Sequence, residues 1–101
     1  MVIYNITVKL ETKIAKECLQ WIMEEHIPEM MQTNCFVDNK VLRLLEVDDS
    51  EGPTYTIQFY AESKADYNRY LEMHGKKIRF KTHEKWRDQL IAFRSVMEVV
   101  K

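Results

Sequence analysis

The chain has 101 residues, 46% of them hydrophobic, with two Pro and two Gly, a size and composition that fit one domain over 1–101 and exclude a disordered or loop-rich scaffold. Its formal net charge of -1 excludes general attraction to nucleic acid or an anionic membrane. Cys18 and Cys35 form no C-x-x-C pair and no His spacing completes a zinc site, so neither a metal nor a cofactor is expected.

Residues 2–10, "VIYNITVKL", alternate. Tyr4, Ile6, Val8 and Leu10 point one way and Asn5, Thr7 and Lys9 the other, which predicts a strand. Residues 12–32 predict an amphipathic helix, with Thr12 as its N-cap. Ile14, Cys18, Ile22 and His26 share one i, i+4 row, flanked by Leu19, Met23 and Met30. His26 therefore falls on the buried face. Pro28 removes a backbone donor and predicts a kink in the last turn.

"CFVDNKVLRLLEV" (35–47) predicts a long strand, bulged near Leu44 and Leu45. "DDSEGP" is a turn, and "TYTIQFYA" (54–61) is a strand with Tyr55, Ile57 and Phe59 on one face. Ser63 is placed to cap a second helix that Gly75 ends. The basic segment "KKIRFKTHEKWR", with six Lys/Arg and only Glu84 as an acid, predicts a further short helix. It is either a solvated face or an electropositive rim near an anionic ligand or acidic partner. "LIAFRSVMEVV" (90–100) closes the chain as a strand. Its predicted core row is Phe93, Ser95 and Met97; Arg94, Val96 and Glu98 oppose it.

The order β-α-β-β-α-β is that of the ferredoxin-like, α+β arrangement: a four-stranded antiparallel sheet with helices on one face. The other face, read as Asn5, Thr7, Thr56, Gln58, Tyr60, Arg94 and Glu98, has a neutral centre rich in Thr and Tyr. A second copy of the sheet would cover it, making a homodimer. The third strand lacks the basic and Gly positions of an RNA-recognition motif, so no nucleic acid partner is expected. No secretory signal and no apolar run of spanning length is present, so the expected location is cytoplasmic, with no membrane partner.

"MVIYNITVKL", "WIMEEHIPEMM", "RLLEVDDSEGPTYTIQFYAES", "YNRYLE" and "AFRSVMEVV" together resemble a family of small bacterial proteins known only as a domain of unknown function. The resemblance covers nearly the whole chain. It implies a dimeric α/β barrel, two ferredoxin-like subunits joined sheet to sheet, and no activity. The wider superfamily includes cofactor-independent monooxygenases, muconolactone isomerases and haem-degrading enzymes. Trp21 and His26 resemble a W…H setting found there at the end of the first helix. Asn5 resembles the Asn of the haem-degrading members, but Trp86 and His83 depart from that triad's order.

His26 is the candidate catalytic residue. An ordinary imidazole titrates near pH ~6.5 and burial biases it to the neutral form. Tyr4, Trp21, Tyr55 and Ser95 are the candidate pocket residues around it. A buried imidazole bonded to Tyr, Ser or a carbonyl freed by Pro28 fits the same pattern. Two functions follow: a homodimeric module that binds a small hydrophobic metabolite or a protein, or a cofactor-independent pocket enzyme, monooxygenase- or isomerase-like, with His26 as general base. Empty space in front of His26 favours the enzyme; a protein partner bonded to it favours the module.

Overall fold

The computed structural model describes all residues 1–101. Four strands, β1 (Val2–Leu10), β2 (Asp38–Arg43), β3 (Thr54–Ala61) and β4 (Leu90–Glu98), form one antiparallel sheet in the order β2-β3-β1-β4. The ferredoxin-like βαββαβ order read from the sequence is the observed one. Tyr4, Ile6 and Val8 sit opposite Phe59, Ile57 and Tyr55, and this row faces the helices. The buried core runs from it into Ile14, Cys18, Ile22, Met30, Tyr67, Tyr70, Ile78 and Trp86.

Residues 12–32 are helical throughout, as their periodicity predicts, but in pieces. A 3-10 turn (Thr12–Ile14) leads into α1 (Ala15–Trp21), a π turn (Ile22–His26) and α2 (Ile27–Gln32). Thr12 is not the cap; Glu11 holds that position and makes no side-chain cap bond. A π turn stands just before Pro28, where the sequence predicts a kink in the last turn. Ile27 donates its N–H five residues back to the Ile22 carbonyl, and Pro28 then falls in the first turn of α2, where its missing N–H costs no intrahelical bond. The predicted row is buried at Ile14, Cys18, Ile22 and His26, whereas Met23 is exposed.

The second strand is shorter than the sequence predicts. Asn34, at φ 60, ends α2 in a left-handed residue that Asn tolerates. Cys35 and Phe36 then enter the core as a loop. The Phe36 ring lies 5.4 Å from Phe59 and 5.1 Å from Tyr70. At the other end Glu46, at φ 58, stops the extended run, and Leu45 is exposed. Of the apolar residues on either side of β2, Cys35 and Phe36 fill the core and Leu45 faces solvent, while Val37 and Leu44 still donate their N–H groups to the Tyr60 and Thr54 carbonyls of β3 at 2.7 and 2.9 Å.

Ser63 caps the second helical run as predicted, its Oγ accepting from the Asp66 N–H at 3.2 Å. Gly75 does not end it. α3 (Lys64–Tyr70), a π turn (Leu71–Gly75) and α4 (Lys76–Trp86) are continuous, because Gly75 is held in helical geometry against the Tyr70 ring.

The β1–β4 ladder corrects the reading of the last strand. Ile6 faces Arg94, Tyr4 faces Val96 and Val2 faces Glu98, so Arg94, Val96 and Glu98 lie on the helix side. Thr7 faces Phe93, Asn5 faces Ser95 and Ile3 faces Met97, on the open side. Strand side chains alternate, so this one-residue shift of phase exchanges every residue of β4 between the faces.

Candidate functional site

A cavity lies where the first π turn, α4 and the β1–β4 half of the sheet meet. Its walls are Tyr4, Ile6 and Val8 from β1, Ile57 from β3, Trp21, Ile22 and His26 from the first helical run, and Tyr70, Ile78, Arg79 and Thr82 from the second. Leu90, Ala92 and Arg94 of β4 complete it. The volume is about 20 Å³, room for a single water.

His26 is 7% exposed. Its ring stacks on Trp21 at 5.5 Å and meets the Phe59 ring edge-on at 6.2 Å. Trp21 in turn meets Trp86 at 6.0 Å. Nδ1 of His26 is fully buried and has no hydrogen-bond partner, so the expected bond to Tyr, Ser or a freed carbonyl is not made at this nitrogen. Burial lowers its pKa from 6.5 to about 4; Glu29 on α2 opposes that shift and Arg94 on β4 adds to it. The imidazole is therefore neutral at pH 7.

Of the candidate pocket residues, Tyr4 and Trp21 join His26 at the cavity. Tyr55 shares the helix-facing row but sits opposite Val8 and Arg43, outside the cavity lining. Ser95 is on the opposite face of the sheet, across from Asn5. Its predicted place is taken by Arg94. The sequence reading also missed Tyr70, Ile78, Arg79 and Thr82. The two arginines carried one signal, the basic run that includes Arg79, but nothing local joins that run to β4.

A second cleft adjoins the cavity. This surface cleft of about 290 Å³ between α4 and β4 is lined by Arg79, Thr82, His83, Arg87, Leu90, Ala92 and Arg94. Five of these, Arg79, Thr82, Leu90, Ala92 and Arg94, also line the inner cavity. Cleft and cavity together make a path with the basic segment on one bank and His26 in its inner wall.

Cys18 is fully buried, and desolvation, with Glu17 beside it, pushes its thiol up to about 12; such a thiol is no nucleophile at neutral pH. No group of three or more His, Cys, Asp or Glu side chains comes together to hold a metal ion. No helix is long and apolar enough to cross a membrane.

On the open face, Asn5, Thr7, Thr56, Gln58 and Tyr60 lie together as predicted; Asn5 faces Gln58 and Thr7 faces Thr56. Arg94 and Glu98 leave this group, and Phe93, Ile91 and Met97 replace them. The face is more apolar than the sequence reading had it. Phe93 is 69% exposed and Ile91 54%. Asn5 donates through Nδ2 to Thr7 Oγ1 at 3.1 Å and to Ser95 Oγ at 3.4 Å, while its buried Oδ1 has no partner.

Among solved structures, the chain is similar to a dimeric ferredoxin-like protein from an uncultured marine organism (10% identity, 99% of this chain and 95% of that one, TM-score 0.73). It is similar to an ethyl tert-butyl ether (ethd) family protein from Bacillus halodurans (14% identity, 99% and 100% covered, TM-score 0.72). A third, provisionally assigned as an antibiotic biosynthesis monooxygenase from Deinococcus radiodurans, gives 14% identity, 100% and 94% covered, and a TM-score of 0.70. These likenesses share the fold. No curated protein matches the sequence. The family model described as "Domain of unknown function (DUF4286)" matches residues 1–100, and the chain belongs to that family.

Proposed function

We propose that the protein is a homodimeric module that binds a small molecule in the path between α4 and β4. One observation carries the binding half: the cleft shares five lining residues with a cavity that His26 also lines, and the protein leaves the buried Nδ1 of that imidazole unpartnered. Buried polar atoms are nearly always paired, and an orphan beside a cavity suits a ligand that supplies the missing bond.

The dimer half rests on the open face. Phe93, Ile91, Met97 and Leu42 are exposed there. Burying a large apolar side chain contributes roughly 1.5–3 kcal/mol. A two-fold partner counts each contribution twice, and a donor from its sheet would satisfy Asn5 Oδ1. The structural neighbour described as dimeric and ferredoxin-like supports this reading.

The second reading is a cofactor-independent enzyme with His26 as general base. The free Nδ1 favours it. Its basicity does not: a base works best with a pKa near the working pH, and this imidazole sits at about 4. A cavity of about 20 Å³ also holds no substrate without opening.

The test is ligand-observed NMR with small aromatic and aliphatic fragments against the wild type and Ala92→Phe, which fills the path where cleft and cavity join. Fragments that bind the wild type and lose Ala92→Phe, with its melting temperature intact, support the module. Fragments that bind both equally place binding elsewhere. Turnover of a bound fragment, abolished in His26→Gln, would favour the enzyme.

A further inference from the structure

The chemistry of the path narrows the ligand. No acidic side chain lines the outer cleft, which carries three arginines. Arg87 is paired with Glu84 at 3.2 Å. The chain's six ion pairs involve neither Arg79 nor Arg94. These two approach the path from different elements, α4 and β4, and both line the inner cavity as well. Two unneutralised guanidinium groups at the mouth of an apolar recess repel each other and attract an anion. Their planar forks match a carboxylate. The residues that line only the inner cavity are mostly apolar and aromatic, Trp21, Ile22, Ile57 and Ile78 among them, with His26 beside them.

We infer that the ligand is a small organic carboxylate with an apolar body, its head between Arg79 and Arg94 and its body directed toward Trp21 and His26. This rests on the binding reading above and adds the class of ligand. A free anion lacks the body and a neutral hydrophobe lacks the head. The apolar end enters by displacing side chains, because the unliganded inner cavity holds one water only. Thr82, on the same bank, adds a hydroxyl within the path.

The experiment uses the full chain and three probes: phenylacetate, phenylacetamide, which keeps the ring and loses the charge, and acetate, which keeps the head and loses the ring. Binding is followed by tryptophan fluorescence, which Trp21 at the cavity and Trp86 against it report, and by amide shifts of Thr82 and Ala92. Phenylacetate is expected to bind at least about tenfold more tightly than either other probe, the scale of one charge-assisted contact. Arg79→Gln and Arg94→Gln should each lower phenylacetate affinity by about tenfold and leave phenylacetamide unchanged. Equal binding of phenylacetate and phenylacetamide overturns anion recognition and leaves the binding reading standing. Equal binding of acetate and phenylacetate overturns the apolar body. Failure of both ring probes to perturb the cleft overturns this inference, and retention of other fragments there would separate it from the binding reading.

Discussion

Arg94 sits opposite Ile6 in the β1–β4 ladder, on the helix side of the sheet, and the next pair, Phe93 opposite Thr7, points to the open side. One strand thus serves two surfaces. Leu90, Ala92 and Arg94 wall the path to His26, and Ile91, Phe93 and Met97 form an exposed apolar row on the open face.

That division makes the dimer testable by neighbouring substitutions. Phe93→Asp should fold normally, since the side chain is 69% exposed in the single chain, yet weaken self-association by roughly 100-fold, a loss of about 3 kcal/mol shared over two symmetric copies. Arg94→Asp should leave association unchanged. Sedimentation velocity at micromolar concentration reads both. A wild-type monomer, or dissociation by Arg94→Asp and not Phe93→Asp, contradicts the arrangement.

The pKa of His26 makes stability depend on pH in one direction. The native imidazole titrates at about 4 and the unfolded one at 6.5, so between these values the unfolded chain binds the extra proton. Stability is full above pH 6.5, falls as pH drops toward 4, and levels below it. The total is about 3 kcal/mol for a shift of this size. Denaturant melts of wild type and His26→Gln at pH 7, 5.5 and 4.5 check it. The difference between the two proteins should shrink steadily as pH falls; a constant difference contradicts a buried neutral imidazole.

Gly52 has φ 137, and a Cβ there would stand 1.7 Å from the Leu10 carbonyl oxygen. The turn is pinned to the end of β1, where Leu10 donates its N–H to the Pro53 carbonyl at 3.0 Å. Backbone meets backbone, so no side-chain movement relieves the clash. Gly52→Ala should cost on the order of 3 kcal/mol by chemical denaturation, whereas Gly75→Ala, whose nearest contact is 3.4 Å from the Tyr70 ring, should cost under about 1 kcal/mol.

Both cysteines are buried. A thiol reagent in excess should label neither in the native protein on the time of mixing, and both after denaturation. Fast native labelling of Cys18 would contradict its high pKa.

The parts of this arrangement legible in the sequence are those with a local period. β1 and β3 alternate cleanly, and the row Ile14, Cys18, Ile22, His26 survives the π turn because all four side chains still reach the core. The phase of β4 is not legible because both of its rows are partly apolar. Phe93 is its largest side chain and its bulk predicts the core, but β4 is an edge strand whose open face carries apolar side chains of its own. The bulk of Phe93 therefore marks the wrong side. Cys35 and Phe36 misled in the same way, since a loop can bury an apolar residue as well as a strand can. The meeting of Arg79 with Arg94 left no trace in spacing, because register and helix packing bring them together, not chain proximity.

The most direct measurement is the two-bond proton–nitrogen NMR spectrum of the imidazoles during a phenylacetate titration. The chain has three histidines. His26 ends the path, His83 lines its mouth, and His74 lies outside both cavities. The ring signals of His26 should move saturably, in step with the Trp21 indole, while those of His74 stay fixed. Signals of His26 that stay fixed while those of His74 move, or that do not respond to any fragment that binds the chain, would contradict a ligand site at the end of this path.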